Sequence, residues 1–326
     1  MIIEKILKQL TPERIKKEIE AIQKIKLPPE LQKWVAEYEK VGERNGFLWK
    51  WLYEAGQSTT LSSVPRLYFN KVYKIKFLIF ILDVLLDDIT DKRVGSENLL
   101  NSSLRIPLAF KKTQIFENLK SEEKRYCNLI LRIWNLIITS AKKAPRYQEF
   151  KEIFLFDLSQ LFNALAFSNI IKKQLFIANE LEFFMYFSHH MTTIVCFTAD
   201  LMYSPKFNIK ELGLLRKIAW DSQKTARIGN WISTWEREIR ENDFSNWMSV
   251  YAINSSIITA GFIKNNEKII QKIKKAKIEK ILFNEWDGYY FKIYKYRKLF
   301  KTINITKLLL GIKNFLTLNL IAKGKI

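Results

Sequence analysis

The sequence predicts an all-α protein. Three observations carry that prediction. Glycine and proline are sparse, 10 and 7 in 326 residues, whereas β folds and doubly wound α/β folds spend more residues on turns. Apolar residues recur at i, i+3, i+4 and i+7 over long stretches. The chain is 48% hydrophobic and 14% aromatic, enough to bury a sizeable core around such helices.

The elements follow in order. Pro28-Pro29 opens a helix, since proline is tolerated at the first helical position. In residues 30–41, Leu31, Trp34, Val35 and Tyr38 mark one apolar face. Residues 58–65, STTLSSVP, read as a loop. The apolar run 77–82 leads into an acidic cluster, and residues 94–107 form the longest polar break. Tyr126, Ile130, Ile133, Trp134 and Ile137 repeat the helical spacing in 124–140. Residues 152–170, 181–203, 212–240, 244–264 and 279–300 also read as helices. Ser204-Pro205 ends one of them, because proline disfavours helical geometry in the residue before it. No internal repeat and no Gly-, Ser- or Pro-rich linker interrupts the chain. The expectation is one α domain spanning 1–326, with ten to twelve helices.

Formal net charge is +21. Nucleic acid, an anionic membrane surface or an anionic small substrate would each suit it. A Lys-, Ile- and Asn-rich composition from AT-rich coding would give it without any selection for charge. Two cysteines, Cys127 and Cys196, are too few for a disulfide framework or a structural zinc site. The first twenty residues alternate apolar and charged and lack a signal-peptide core. The apolar runs at 77–82 and 194–199 are too short to span a bilayer. A soluble protein of the reducing cytoplasm is expected.

The chemistry begins at residues 83–93, DVLLDDITDKR. On a helix Asp83, Asp87 and Asp91 form one column, with Asp88 beside it. Aspartates at a helix C-terminus are unfavourable with the dipole, and Lys92-Arg93 offset this only in part. Ionised carboxylates next to an apolar helix need a neutralising partner. Hard oxygen ligands of this kind suit Mg²⁺, which takes one or two carboxylates together with waters and phosphates, so Asp83, Asp87, Asp88 and Asp91 are all candidate metal ligands. A second set lies in 224–244. There Asn230, Thr234 and Glu238 share a helical face and offer an amide oxygen, a hydroxyl and a carboxylate. Arg227 and Arg237 flank them, and arginine suits phosphate through its planar fork.

Together these segments carry a resemblance. Asp87-Asp88-Ile-Thr-Asp91 resembles the DDxxD motif of class I terpene synthases. Asn230 to Glu238, NWISTWERE, resembles their second metal motif, (N/D)Dxx(S/T)xx(K/R)E. Their separation, roughly 140 residues, is similar to the family's. The resemblance implies a helical bundle around a central cavity, a prenyl diphosphate substrate (geranylgeranyl or farnesyl diphosphate), and three Mg²⁺ ions, with Mn²⁺ as a substitute. It implies metal ligation by Asp87 and Asp91 and by Asn230, Thr234 and Glu238, and a diphosphate contact from Arg237. Asp83 opens a second register, Asp83-x₃-Asp87, which resembles squalene and phytoene synthases. Phe80, Phe184, Phe187, Phe197, Trp231 and Trp235 are candidates for cavity aromatics facing a carbocation.

The sequence departs from the pattern in places. Trp231 stands where the family has an acidic residue. No arginine lies some forty residues before the second motif, only His189 and His190. Tyr296-Arg297 reverses the family's C-terminal Arg-Tyr order and comes early.

Three functions compete. The first is a terpene cyclase, with C20 favoured over C15 because residues 199–205, ADLMYSP, are similar to bacterial diterpene synthases. The second is a chain-elongating or head-to-head prenyltransferase, disfavoured because a second aspartate motif is missing. The third is a basic helical protein that binds nucleic acid or a membrane. The basic, amphipathic tail 301–326 either contacts a membrane peripherally or caps the bundle. Under the first reading no nucleic-acid partner is expected, and the protein is a monomer or homodimer.

Overall fold

The computed structural model describes residues 1–91, 96–258 and 265–325. Among these the chain is all-helical: 77% of residues are helical, no strand forms, and there are sixteen α-helices rather than ten to twelve. Much of the excess is short helices at the N-terminus and between the long ones. The first four are α1 (Ile2–Gln9), α2 (Pro12–Lys24), α3 (Pro29–Tyr38) and α4 (Gly46–Ser58). Pro12 and Pro29 each sit in the first turn of their helix, as their fixed φ favours. Asn45 caps α4, its Oδ1 accepting from the Phe47 and Leu48 amides at 3.0 and 3.3 Å.

Next come α5 (Phe69–Thr90), α6 (Glu97–Leu104), α7 (Lys112–Ile115), α8 (Ser121–Ala141) and α9 (Tyr147–Lys173). The polar stretch 94–107, expected as a break, holds α6. Ser96 caps it through the Asn98 amide, and Leu99 and Leu100 pin it to the core, so tertiary burial overrides a polar composition. Lys92 and Arg93 lie outside the described residues.

The third group is α10 (Glu180–Tyr186), α11 (Thr193–Met202), α12 (Leu212–Arg240), α13 (Trp247–Asn254), α14 (Asn266–Lys275), α15 (Glu279–Lys295) and α16 (Ile305–Ile321). The helix expected over 181–203 is broken. A 3₁₀ segment, Phe187–Met191, follows α10, and Thr192 takes a left-handed φ of 55° before α11 begins. A β-branched residue is costly there. The expected helix over 244–264 is α13, which stops at Asn254; residues 259–264 lie outside the described residues.

One contiguous apolar core joins residues from Ile3 to Leu320. Within it α5 is flanked by α3, α4, α8, α9 and α11, and α12 by α11, α15 and α16. A buried ion pair ties α5 to α11. The Lys76 Nζ lies 3.4 Å from both Asp200 oxygens, while Asp200 also accepts from the Leu61 amide at 2.9 Å. The tail is committed to the bundle: α16 buries Leu308, Ile312, Leu316 and Leu320, and Trp51 donates its indole N–H to the Leu318 carbonyl at 2.9 Å. Among the described residues one helix, α9, is long and apolar enough to cross a membrane, although the apolar runs in the sequence looked too short; half of its most apolar window is buried inside the protein.

Candidate active site

The C-terminal half of α5 points Asp83, Asp87 and Asp91 into a cavity of about 250 Å³. Their four-residue spacing puts them on one face, as a helix requires. Asp88, one residue round, does not line that cavity. It is buried, accepting 2.5 Å and 2.7 Å bonds from the Tyr38 hydroxyl and Arg44 Nε. The expectation that Asp88 ligates metal is therefore corrected: a 100° turn of the helix aims it at α3.

Each aspartate is partnered from another element. Arg44, in the α3–α4 loop, donates through Nη2 to Asp87 at 3.2 Å and Asp91 at 3.1 Å. Burial works against its charge, but Asp87, Asp88 and Asp91 outweigh it and raise its pKa. Lys172, near the end of α9, donates to Asp91 and to the Thr90 carbonyl, both at 2.8 Å, and lies 3.5 Å from Asp243. Its pKa too is raised: burial opposes, and Asp91 and Asp243 prevail. His190, placed by the 3₁₀ segment, sets Nδ1 3.1 Å from Asp83. Burial pushes Asp83 up to about 6, with His190 pulling back part of the way.

The second segment lies in α12, and Asn230, Thr234 and Glu238 line the same cavity. Arg227 and Arg237 line it as well. Arg227 donates through Nη1 to Asn230 Oδ1 at 2.8 Å, and its guanidinium lies over the rings of Trp231 and Phe187 at 5.1 and 5.4 Å. Thr234 donates to the Asn230 carbonyl at 2.9 Å. Arg237 pairs with Glu241 at 2.7 Å. Here polar atoms are left over. Among the described residues Arg227 Nε, Arg237 Nε and Glu238 Oε2 are buried without a hydrogen-bond partner. Burial, reinforced by Asp243, pushes Glu238 up to about 7. Burial lowers the Arg227 pKa, against the pull of Glu238 on its own helix and of Asp87, Asp83 and Asp91 across the cavity.

Along α5 the cavity lining runs from apolar to polar, with Phe80 before the aspartates, while α12 lines it largely with polar groups, from Ser222 and Thr225 to Glu238. Leu52, Phe197, Leu308, Ile312 and Phe315 complete the apolar wall.

Not every expected residue comes here. Phe80, Phe187 and Phe197 line the cavity, whereas Phe184, Trp231 and Trp235 do not. Trp231 is fully buried behind it, against Phe184 and Trp247, and Trp235 donates to Glu279. Tyr296 and Arg297 are also absent from the lining. They follow the C-terminal end of α15, where Arg297 stacks on Tyr294 at 3.8 Å and Lys217 lies over Tyr296 at 5.2 Å. Arg44, Lys172 and Asp243 were missed, because their sequence surroundings are ordinary basic or acidic stretches. The one usable signal was negative: four aspartates at an apolar helix end require cations that the motif does not contain. His190, notable in the sequence only for standing before the second motif where an arginine is missing, is buried and paired to Asp83.

Among the described residues no three His, Cys, Asp or Glu side chains gather as a ready-made metal cluster. The donors fit a hard divalent cation that brings anionic ligands with it. Asp87 and Asp91 supply carboxylates, and opposite them Glu238 keeps a buried oxygen without a partner, the situation in which Mg²⁺ shares its shell with phosphate oxygens. No family model, no curated protein and no solved structure matches this chain.

Proposed function

We propose that this chain is a class I terpene synthase, a carbon–oxygen lyase that ionises a linear prenyl diphosphate and steers the carbocation to a cyclised or quenched terpene hydrocarbon or alcohol. One observation carries the reading. Oxygen donors from α5 and from α12 line a single cavity that also holds buried guanidinium N–H groups without partners and an apolar wall.

Asp87 and Asp91, with Asp83 a turn earlier, and Asn230, Thr234 and Glu238 would hold Mg²⁺. When bound, Mg²⁺ supplies Lewis-acid neutralisation of the departing diphosphate. The chain's own groups do the rest. Arg227 and Arg237 offer N–H donors to phosphate oxygens, preorganised on a rigid helix. The apolar wall takes the prenyl chain and keeps water from the cation. The rings of Phe80 and Phe197 stabilise positive charge along the chain, whereas Phe187 already carries the Arg227 guanidinium and the stacked Phe183 ring. A C20 substrate is favoured over C15.

The test incubates purified protein with Mg²⁺ and, separately, C10, C15, C20 and C25 prenyl diphosphates, followed by gas chromatography and mass spectrometry of organic extracts. A metal-dependent terpene that disappears in Asp87→Ala is the expected result. Longer prenyl diphosphates or joined C30 or C40 products would reassign the chain to prenyl transfer. No turnover with Mg²⁺ or Mn²⁺ would reject both.

A further inference from the structure

The cavity has more cations than the two motifs supply. Arg44 and Lys172 belong to neither segment, come from different elements, and between them neutralise the metal-facing carboxylates of α5. Arg44 is held by Asp88 through Nε, which leaves Nη2 to bridge Asp87 and Asp91. Lys172 spans the cavity rim, reaching Asp91 on one side and Asp243, beyond α12, on the other. Both side chains are mostly buried, 14% and 16% exposed, so these are not screened surface pairs.

A divalent cation on Asp91 would need the same oxygens, since Lys172 holds Oδ1 and Arg44 holds Oδ2, and on Asp87 it would meet Arg44 at Oδ2. A carboxylate oxygen already donated to by Lys172 or Arg44 gives up that bond, at least in part, to coordinate a metal. The displaced ammonium and guanidinium would then stand beside the ion, within reach of any phosphate the ion carries. Without Arg44 and Lys172, the column of aspartates would repel itself at a partly buried helix end.

We propose, resting on the functional reading above, that Arg44 and Lys172 are place-holding cations. They occupy Asp87 and Asp91 while no metal is bound, compete with divalent metal for those oxygens, and transfer to the diphosphate when metal and substrate arrive. The pair therefore weakens binding of free metal and strengthens binding of metal together with diphosphate, which makes loading of the two interdependent. Asp88 is in this account a positioning residue that anchors Arg44.

The experiment measures Mn²⁺ bound to the full chain by electron paramagnetic resonance, with and without inorganic pyrophosphate, in wild type, Arg44→Gln, Lys172→Gln and Arg44→Lys. The two Gln variants should bind Mn²⁺ alone more tightly than wild type. They should bind Mn²⁺ with pyrophosphate more weakly, by roughly tenfold to a hundredfold, the range that a hydrogen bond to a charged group is worth. Arg44→Lys, which keeps the charge but cannot hold Asp88 and bridge Asp87 and Asp91 at once, should fall between wild type and Arg44→Gln. Unchanged or weaker Mn²⁺ binding in both Gln variants overturns the proposal. Circular dichroism melting checks folding, and if Arg44→Gln does not fold, Lys172→Gln and Arg44→Lys carry the comparison. Tighter Mn²⁺ binding in the variants sustains the competition even if no prenyl diphosphate is turned over, so its fate is separable from that of the synthase reading. No Mn²⁺ on any of the four proteins removes both.

Discussion

The two acidic segments reach the same cavity in opposite electrostatic states. At the end of α5 every aspartate has a partner: Asp88 has Tyr38 and Arg44, Asp87 has Arg44, Asp91 has Arg44 and Lys172, and Asp83 has His190. On α12, Arg227 and, in the last turn, Arg237 and Glu238 each keep a buried polar atom without one among the described residues. A helix C-terminus disfavours negative charge, so cations beside the first segment stabilise the fold. The second segment also runs into the last turn of its helix, where the dipole disfavours Glu238 as it does the aspartates, and its leftover polar atoms cost stability with no structural return. The cations around the first cluster thus serve the fold, and the leftover polar atoms of the second call for a ligand.

The largest effects should separate chemistry from folding inside the first segment. If the synthase reading holds, Asp87→Asn lowers metal-dependent turnover by at least about a hundredfold, as loss of a ligand to the ion that neutralises the leaving group would, with little change in melting temperature. Asp88→Asn should do the reverse. Removing one charge of a buried pair destabilises by about 3 kcal/mol, seen as a lower denaturant midpoint, while the variant at saturating Mg²⁺ keeps most of its turnover. Equal effects of the two on turnover would break the distinction between the cavity-facing column and the anchoring aspartate.

Arg227→Gln sharpens the other half of the comparison. A guanidinium that is buried with an unpartnered N–H contributes little to stability, so the variant should fold as well as wild type or better. Its affinity for pyrophosphate with Mg²⁺, read by calorimetry, should fall by about tenfold. A destabilised variant with unchanged pyrophosphate binding would return Arg227 to a structural role.

Two smaller effects probe the frame. A Cβ on Gly311 would meet the Ser58 carbonyl oxygen at 2.0 Å. Gly311→Ala should therefore push α16 off the cavity's apolar wall and cost about 1–3 kcal/mol, measured by thermal or denaturant unfolding. His189 stacks edge-on against Trp220 at 5.0 Å, and burial, with His190 beside it, lowers its pKa to about 4. The unfolded chain takes up that proton near pH 6.5, and the folded chain does not until near pH 4. Its contribution is complete above about pH 6.5 and is lost as pH falls towards 4. The pH dependence of unfolding should flatten in His189→Asn over that window, and an unchanged slope would show that His189 titrates alike in both states.

Much of the fold was readable because it depends on periodicity. The 29 residues of α12, Leu212–Arg240, match the stretch read from the sequence, since a long amphipathic pattern has one solution. The α10–α11 break was not readable. Nothing local in FSHHMTT signals a 3₁₀ segment and a left-handed threonine, and the surrounding apolar pattern is continuous. The break is held by distant partners such as Asp83, which takes His190, and Gln223, which accepts from the Ile194 amide at 3.1 Å.

The sequence by itself determined the helices and the facing sets of oxygen donors, because helical geometry ties residues four apart to one face. That rule places Asp83, Asp87 and Asp91 together, and Asn230, Thr234 and Glu238 together, wherever their helices end up. The tertiary structure alone decided that the two sets share one cavity, that Asp88 turns away to Arg44, that Tyr296 and Arg297 lie elsewhere, and that Arg44 and Lys172 supply the missing charge. Those are contacts between residues about 40 to 150 positions apart, set by how helices pack, and no local spacing encodes them.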